Sequence, residues 1–259
     1  MKPPVPPLLF TVLLLAGMLI LLEAGRQLGI RCRSQDPEGD QGNLGIIESA
    51  IFALFGLVIA FTFSGAVSRF NEKRMLIAEE VNSIETAYLR LHLIPEDAQP
   101  GLRELFRLYV ESREETYRKL PDMEAAEIEI AHTKRLQEQI WAEAVPATLL
   151  PHSHPDAGKL LLPALNNMID ISTTRTMALT VHPPAIIYML LFGLSLICAL
   201  LAGYRMSIGQ RRSWLHIFSF ALMTPIIVYV ILDIEYPRAG LIRLEAPDQV
   251  LLNIRDRMK

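Results

Sequence analysis

Four long apolar runs dominate the pattern of hydrophobic and polar positions along the chain. They occupy residues 8–22, 47–66, 183–204 and 214–232. A helix needs about 20 apolar residues to cross a bilayer, so the last three runs predict membrane spans. The first run is shorter and follows Lys2, a pattern that is also typical of a secretory signal peptide. Several early prolines, and Leu22 at the would-be −3 position, make a poor cleavage site, so we expect a retained first span.

The second apolar run continues without a proline into a charged segment that keeps helical spacing. One line of positions follows alternating steps of three and four, which places one face of a helix against a partner. These positions are Ala53, Gly56, Ala60, Phe63, Val67, Phe70, Arg74, Ile77, Val81, Ile84, Tyr88 and Leu91. They are mostly small inside the apolar run, as close helix contact in lipid requires, and mostly bulky beyond it. The pattern predicts one helix over 46–93, about 70 Å long. Two helices with a kink near Gly65 are the alternative.

The polar segment between the second and third runs has helical periodicity and no strand alternation. Apolar positions recur at helical spacing over 102–110, 128–141 and 160–177, and prolines predict a loop over 146–157. The sequence therefore predicts an all-α membrane protein with four transmembrane helices and a helical cytoplasmic domain, the second span continuing as a long helix. The predicted parts are the first span with its loop (1–45), the second span with its extension (46–93), the helical domain (94–182), the third and fourth spans (183–235) and a C-terminal tail (236–259).

Composition and charge agree with a chain that has two environments. The sequence is 51% hydrophobic and 20% charged, with a net charge of −3. No cluster of Lys and Arg with interleaved aromatic residues indicates a nucleic-acid surface. Cys32 and Cys198 fall in the first loop and the third span, so a disulfide between them is not expected. Basic residues flank both sides of the spans almost equally, and we place the disulfide-free helical domain and both termini in the cytoplasm.

Residues of the second span supply candidates for a pore. Glu48 could form a ring of carboxylates at the narrow end of an oligomeric pore and attract cations. The alternative is an interfacial carboxylate that reaches water. A hydrophobic constriction that gates by dewetting could be formed by Phe52, Phe55, Ile59 and Phe63. The alternative for these side chains is contact with lipid or with neighbouring helices.

Charged residues at the ends of the second and fourth spans form a further candidate group. Asp233, Glu235 and Arg238 lie in the stretch LDIEYPRAG, and Arg69 follows the second span. Ionisable groups cost about 2.5–3.5 kcal/mol at the centre of a membrane helix and less at its edge, and they are often functional. They could form the cytoplasmic mouth of a pore, a cation site or a salt bridge that locks the helix ends.

Signatures of enzymes and of metal sites are weak. His152, His154 and Asp156 lie in a proline-flanked loop without a further ligand nearby, whereas zinc needs three or four fixed ligands. The chain has no GxxxxGK, GxGxxG, HExxH, GxSxG or CxxC motif. We therefore expect no enzyme, no cofactor and no metal. A membrane enzyme that uses the acidic group or the loop histidines is a third possibility.

Several stretches of the chain resemble one family of bacterial membrane proteins, the bestrophin-like proteins. The stretches are ESAIFALFGLVIAFTFSGAVSRFNEKRMLIAEEVNSIETAYLRLHLIP, QEQIW, LNNMID and LDIEYPRAGLIRL. The chain is more distantly similar to true bestrophins, which are pentameric ion channels with four spans, cytoplasmic termini and a helical cytosolic region. Their second span lines the pore and carries an aromatic and aliphatic neck.

The resemblance implies a homo-oligomer in the bacterial inner membrane, with lipid and small inorganic ions as its partners. It places the neck among the four candidates for a hydrophobic constriction. After Pro237 the chain lacks the Phe-Gly of the family, and it lacks the acidic run that binds calcium in animal bestrophins, so calcium gating is not implied. The alternative function is a non-conducting membrane scaffold or stress sensor whose cytosolic helices bind a partner.

Overall fold

Helices account for all the regular structure in the part of the chain that the computed structural model describes. That part comprises residues 6–35, 41–120, 122–207, 214–236, 241, 251 and 254–258. The helices α1 to α7 run over Pro7–Gln35, Gln41–Leu89, Gln99–Lys119, Met123–Ala147, Ala157–Ala178, Ala185–Met206 and Trp214–Glu235. A 3₁₀ turn, Arg90–Leu93, follows α2. The predicted all-α class is confirmed.

Four of these helices are long and apolar enough to cross a membrane, as predicted. They are α1, α2, α6 and α7. Helix α1 extends well beyond its apolar run, because no proline follows Leu22 within it and an ion pair between Glu23 and Arg26 (2.9 Å) supports the next turn. Helix α2 is 49 residues long and runs unbroken through Gly65, which confirms a single long helix. The chain is a membrane protein.

The chain divides into two compact units, and helix α2 contributes to both. The membrane unit comprises Lys2–Arg69 and His182–Leu241. The helical unit comprises Phe70–Val181 and Ile242–Lys259. The division within α2 falls just after its apolar run, where side chains change from apolar to charged.

Close backbone contact between α1 and α6 organises the membrane unit. A Cβ atom at Gly25 would collide with the backbone of Leu200, and one at Gly203 would collide with the backbone of Leu22. Small residues allow this approach, which strengthens dispersion contacts between helices in lipid. Cys198 is fully buried nearby as a small packing residue. The unit's core also includes Leu14, Met18, Leu191, Ala199, Val228 and Ile231.

The later half of α2 packs with α3, α4 and α5 in the core of the helical unit. Its buried positions Ile77, Val81 and Ile84 belong to the line of three-and-four steps read from the sequence. Burial of such a stripe provides most of the stability of an amphipathic helix. The same core contains Leu91, Phe106, Tyr109, Leu136, Ile140, Leu161 and Leu165.

The predicted loop over 146–157 is too long at both ends. Pro146 lies in the last turn of α4, which ends at Ala147, and α5 already begins at Ala157. A proline in a last turn removes only its own N–H from the helix ladder, so the helix can include it. Thr148 then donates from its backbone N–H to the carbonyl of Ala144 (3.1 Å) and ends α4.

Candidate pore helix and its ion pairs

One face of the apolar part of α2 is buried inside the membrane unit. Glu48, Phe55, Thr62 and Ala66 lie on this face, and each is at most 8% exposed. Residues seven and four positions apart share one side of a helix, so the four form a continuous stripe. This stripe attaches α2 to the rest of its unit.

Glu48 forms an ion pair with Arg205. Its Oε2 is 3.1 Å from Nε of Arg205, in the last turn of α6. The Glu48 side chain is 11% exposed, whereas that of Arg205 is 46% exposed. The more accessible charge at this end of α2 is therefore cationic. This partner could not be predicted from the sequence, because the two residues are far apart in the chain.

The four predicted constriction residues do not share one face. Phe55 is buried, and Phe52 and Ile59 are partly buried beside it. The Phe52 ring contacts the ring of Phe220 on α7 edge to face, with centroids 5.9 Å apart. Phe63 is 41% exposed and points away from this stripe. Three of the four side chains thus pack wholly or partly inside the membrane unit.

The opposite face of the apolar part of α2 is open and has two arcs. The first arc is small or weakly polar, with Ser49, Ala53, Gly56, Ala60 and Ser64 all exposed. A Cβ atom built at Gly56 meets nothing within 4 Å.

The second arc, next to the first, carries large apolar side chains. Leu57 and Phe61 are 51% and 69% exposed, and with Ala53 they form an i, i+4, i+8 line. Leu57 and Phe61 were not among the predicted residues. Each directly follows a small residue of the line of three-and-four steps, and this position could have indicated them.

Within the membrane unit, an ion-pair cluster joins the end of the apolar part of α2 to the end of α7. Glu235 has no exposed side-chain surface and accepts hydrogen bonds from Arg69 Nε (2.9 Å) and Nη2 (2.8 Å). Nδ1 of His182 lies 3.2 Å from the other carboxylate oxygen, and the His182 ring stacks on Tyr236 with centroids 4.6 Å apart. The structure thus brings Arg69 and Glu235 together and adds His182, which the sequence analysis had not selected.

The two other members of the predicted charged group differ in what can be described. Asp233 is 2% exposed, and its Oδ1 accepts a hydrogen bond from the backbone N–H of Leu241 (2.8 Å). This bond ties the end of α7 to the chain that follows it. Arg238 lies outside the residues that the structure describes.

A second ionic cluster lies in the core of the helical unit. Glu80, on α2 beyond the apolar run, accepts from Arg113 Nε and from Arg175 Nη1, both at 2.5 Å. Tyr117 also donates to Glu80 (3.3 Å) and in turn accepts from Arg113. The Arg175 guanidinium carbon lies 3.5 Å from the Tyr117 ring centroid. All four residues are at most 4% exposed.

Electrostatics keep Glu80 ionised in this cluster. Burial alone would raise its pKa, but the guanidinium groups of Arg113 and Arg175 outweigh that effect and hold the pKa below its ordinary value. Burial likewise raises the pKa of the Tyr117 hydroxyl, which therefore stays protonated and can donate. The cluster joins α2, α3 and α5 through one carboxylate.

Metal ligands do not converge among the residues that the structure describes. No group of three or more His, Cys, Asp or Glu side chains there lies close enough to hold an ion. His152 and His154 are on the loop between α4 and α5, where His154 Nδ1 accepts from the backbone N–H of Asp156 (3.2 Å).

The fold and these clusters define a multi-span helical membrane protein with a long second helix, and sequence comparison assigns its family. Residues 32–246 match the Bestrophin-like domain. The chain belongs to the bestrophin-like family. A search among curated proteins gives no match.

Comparison with solved structures finds the same fold. Two single-residue variants of a bacterial bestrophin homologue from Klebsiella pneumoniae match with TM-scores of 0.65 and 0.66, each at 16% identity. The matches cover 92% and 96% of this chain and 98% of the homologue in both cases. A further structure, described as a membrane protein variant, has a TM-score of 0.60 at 18% identity and covers 92% of this chain and 95% of the other.

Proposed function

We propose that the protein is a homo-oligomeric ion channel of the bacterial inner membrane and that the open face of α2 forms its pore. The observation that carries this proposal is the division of the apolar part of α2 into a face buried in its own subunit and a face that nothing in the subunit covers. Family membership supports the channel class. By the same resemblance, we propose a pentamer with cytoplasmic termini.

The two arcs of the open face suit two different neighbours. Small residues allow close contact between helices in lipid, so the arc around Gly56 and Ala60 suits an adjacent subunit. Bulky apolar side chains are what a dewetting constriction needs, so the neighbouring arc with Leu57 and Phe61 suits the pore axis. We therefore propose Leu57 and Phe61 as the principal constriction, with Phe63 at the edge of the small arc.

The residues on the buried face support the pore helix from behind. Phe55 and Ile59 pack towards the other helices of the unit, and Phe52 contacts Phe220. The Arg69 to Glu235 pair fixes the end of the apolar part to α7. In this proposal these side chains position the pore helix.

Electrical recording tests the proposal directly. Purified protein, shown to be folded and oligomeric by circular dichroism and size-exclusion chromatography, is incorporated into planar bilayers. Discrete single-channel currents in salt solutions are the expected result. A well-folded oligomer that conducts no ion under any tested voltage and salt would contradict the channel function and would favour a non-conducting scaffold.

A further inference from the structure

An open apolar groove lies on the membrane unit, away from the open face of α2. It has a volume of about 530 Å³, within the range of small-molecule sites in proteins. Three helices supply its lining: the start of α1, the first half of α6 and the end of α7. Its lining includes Phe10, Leu13, Tyr188, Phe192, Gly193 and Tyr236.

One end of the groove is polar, and the rest is apolar. The Tyr188 hydroxyl is shielded from solvent and has no hydrogen-bond partner among the described residues. Such a buried polar group costs free energy unless a partner is supplied. Tyr236, at the same end, stacks on His182, which is bonded to Glu235. The polar end of the groove thus adjoins the ion-pair cluster at the end of α7.

The accessible charge beside this end is positive. The Glu235 side chain has no exposed surface, whereas the side chains of Arg69 and His182 are 27% and 14% exposed. The carboxylate therefore lies beneath the Arg69 guanidinium and the His182 imidazole, and an approaching molecule meets these two groups first. Asp233, the nearest other acid in the sequence, is 2% exposed and bonded to the backbone of Leu241. This surface is complementary to an anion at the membrane boundary.

We infer that the groove binds one acyl chain of an anionic phospholipid, with the phosphate beside His182 and Arg69. The ester carbonyl at the top of the acyl chain then accepts the hydrogen bond that Tyr188 can donate. Each chemical part of the lipid meets a matching part of the site: the hydrocarbon meets the apolar lining, the carbonyl meets the Tyr188 hydroxyl, and the phosphate meets the guanidinium of Arg69. The site is separate from the proposed pore and does not depend on conduction.

Two substitutions address the hydrocarbon and carbonyl contacts. A Cβ atom at Gly193 meets nothing within 4 Å, so Gly193→Leu can fill the groove without disturbing the helix. Tyr188→Phe removes only the hydroxyl. Leu190→Phe is the matched control, because Leu190 is an exposed residue of α6 that does not line the groove.

The measurement is native mass spectrometry of the full-length oligomer titrated with phosphatidylglycerol or with phosphatidylcholine of the same acyl chains. Wild type and Leu190→Phe are expected to bind phosphatidylglycerol equally and more tightly than phosphatidylcholine. Gly193→Leu should weaken phosphatidylglycerol binding about tenfold, the effect of about two displaced methylene groups. Tyr188→Phe should weaken it about two- to tenfold.

Three results would overturn the inference. Unchanged binding by Gly193→Leu would exclude the groove as the site. Equal binding of the two lipids by wild type would exclude the anionic head group. Dissociation of the Gly193→Leu oligomer, with monomers still folded, would identify the groove as a contact between subunits instead.

Discussion

Glu80 and Glu235 are carboxylates without exposed side-chain surface, and each accepts hydrogen bonds from arginine. A buried charge is costly unless it is paired and its remaining hydrogen-bonding positions are filled. Both residues meet this condition by joining helices that are distant in sequence. Their contribution is therefore to specify which helices meet and at which level. Most of the stabilising free energy comes from burial of apolar surface from water in the helical unit and from close packing in the membrane unit.

Replacing Glu80 with glutamine should strongly destabilise the helical unit. Glu80→Gln leaves Arg113 and Arg175 buried without the carboxylate, and breaking a buried ion pair in this way costs about 3–5 kcal/mol. Thermal melting followed by circular dichroism measures the effect. The matched control is Glu104→Gln on the exposed pair with Arg107, which should leave the melting temperature unchanged. If Glu80→Gln and Glu104→Gln had the same melting temperature, a structural role for Glu80 would be refuted.

The stability of the helical unit should also fall in acid because of Glu80. Its pKa is lower in the folded state, so its stabilising contribution is complete above the ordinary pKa of glutamate, about 4.3, and is lost as the pH falls through the folded value. Melting temperatures between pH 7 and pH 3 should therefore decline less steeply for Glu80→Gln than for wild type. Some decline should remain, because partial burial would raise the pKa of Glu129, on α4, but hydrogen bonds from Lys119 and other neighbours hold it below its ordinary value. If the melting temperatures of wild type and Glu80→Gln fell equally with pH, Glu80 would not be the source of the acid sensitivity.

Glu48 should influence ion selectivity through its partner. In Glu48→Gln the exposed guanidinium of Arg205 loses its counter-charge, so the end of the proposed pore becomes more positive. The reversal potential in a salt gradient should then shift towards the anion equilibrium potential. Arg205→Gln should shift it in the opposite direction. A reversal potential that is identical in wild type and both variants would place this pair outside the conduction pathway.

At the scale of elements, the sequence predicts where the helices lie in the chain, but it does not predict which helices contact one another. The apolar runs and the three-and-four spacing locate α1 to α7 because both features arise from the helix itself. The spacing also identifies Ile77, Val81 and Ile84 as core residues. The extent of the loop at Pro146 was wrong, because a proline near a helix end has only a local effect.

The partners of charged residues could not be predicted for a physical reason. Glu80, Arg113 and Arg175 each look like ordinary polar positions of amphipathic helices, and only tertiary packing brings them together. The same holds for Glu48 with Arg205. Periodicity shows which residues share a face, but it does not show what that face contacts. For this reason the predicted constriction combined Phe63 with the buried Phe55.

The division of α2 into a buried and an open face gives a direct test of the proposed constriction. Phe61→Ala should widen the narrowest part of the pore and increase the single-channel current, because Phe61 is 69% exposed on the bulky arc. Phe55→Ala, on the buried face, should instead destabilise the membrane unit by about 3–5 kcal/mol, with little change in the current of channels that still assemble. Recording both variants beside Phe63→Ala separates the candidates. If only Phe63→Ala increased the current, Phe63 rather than Phe61 would form the constriction.

At the scale of the whole molecule, substitutions at two glycines separate folding of the chain from assembly of the proposed oligomer. Gly56→Leu should leave the subunit folded, because nothing lies within 4 Å of the added Cβ, but should dissociate an oligomer that packs against the small arc. Gly203→Leu should prevent the subunit from folding, since its Cβ would collide with the backbone of Leu22. Size-exclusion chromatography with light scattering gives the mass of each variant. An intact Gly56→Leu oligomer would show that this arc faces lipid or the pore.

The close contact between α1 and α6 also has a consequence for biosynthesis. About 150 residues of chain separate the end of α1 from the start of α6. At about 5–20 residues per second, a ribosome takes about 8–30 s to make that stretch. During this interval α1 is already in the membrane, with Gly25 and its neighbours facing lipid or the insertion machinery. Completion of the membrane unit is therefore a late event of translation, and a ribosome that stalls within the helical unit leaves α1 without its partner.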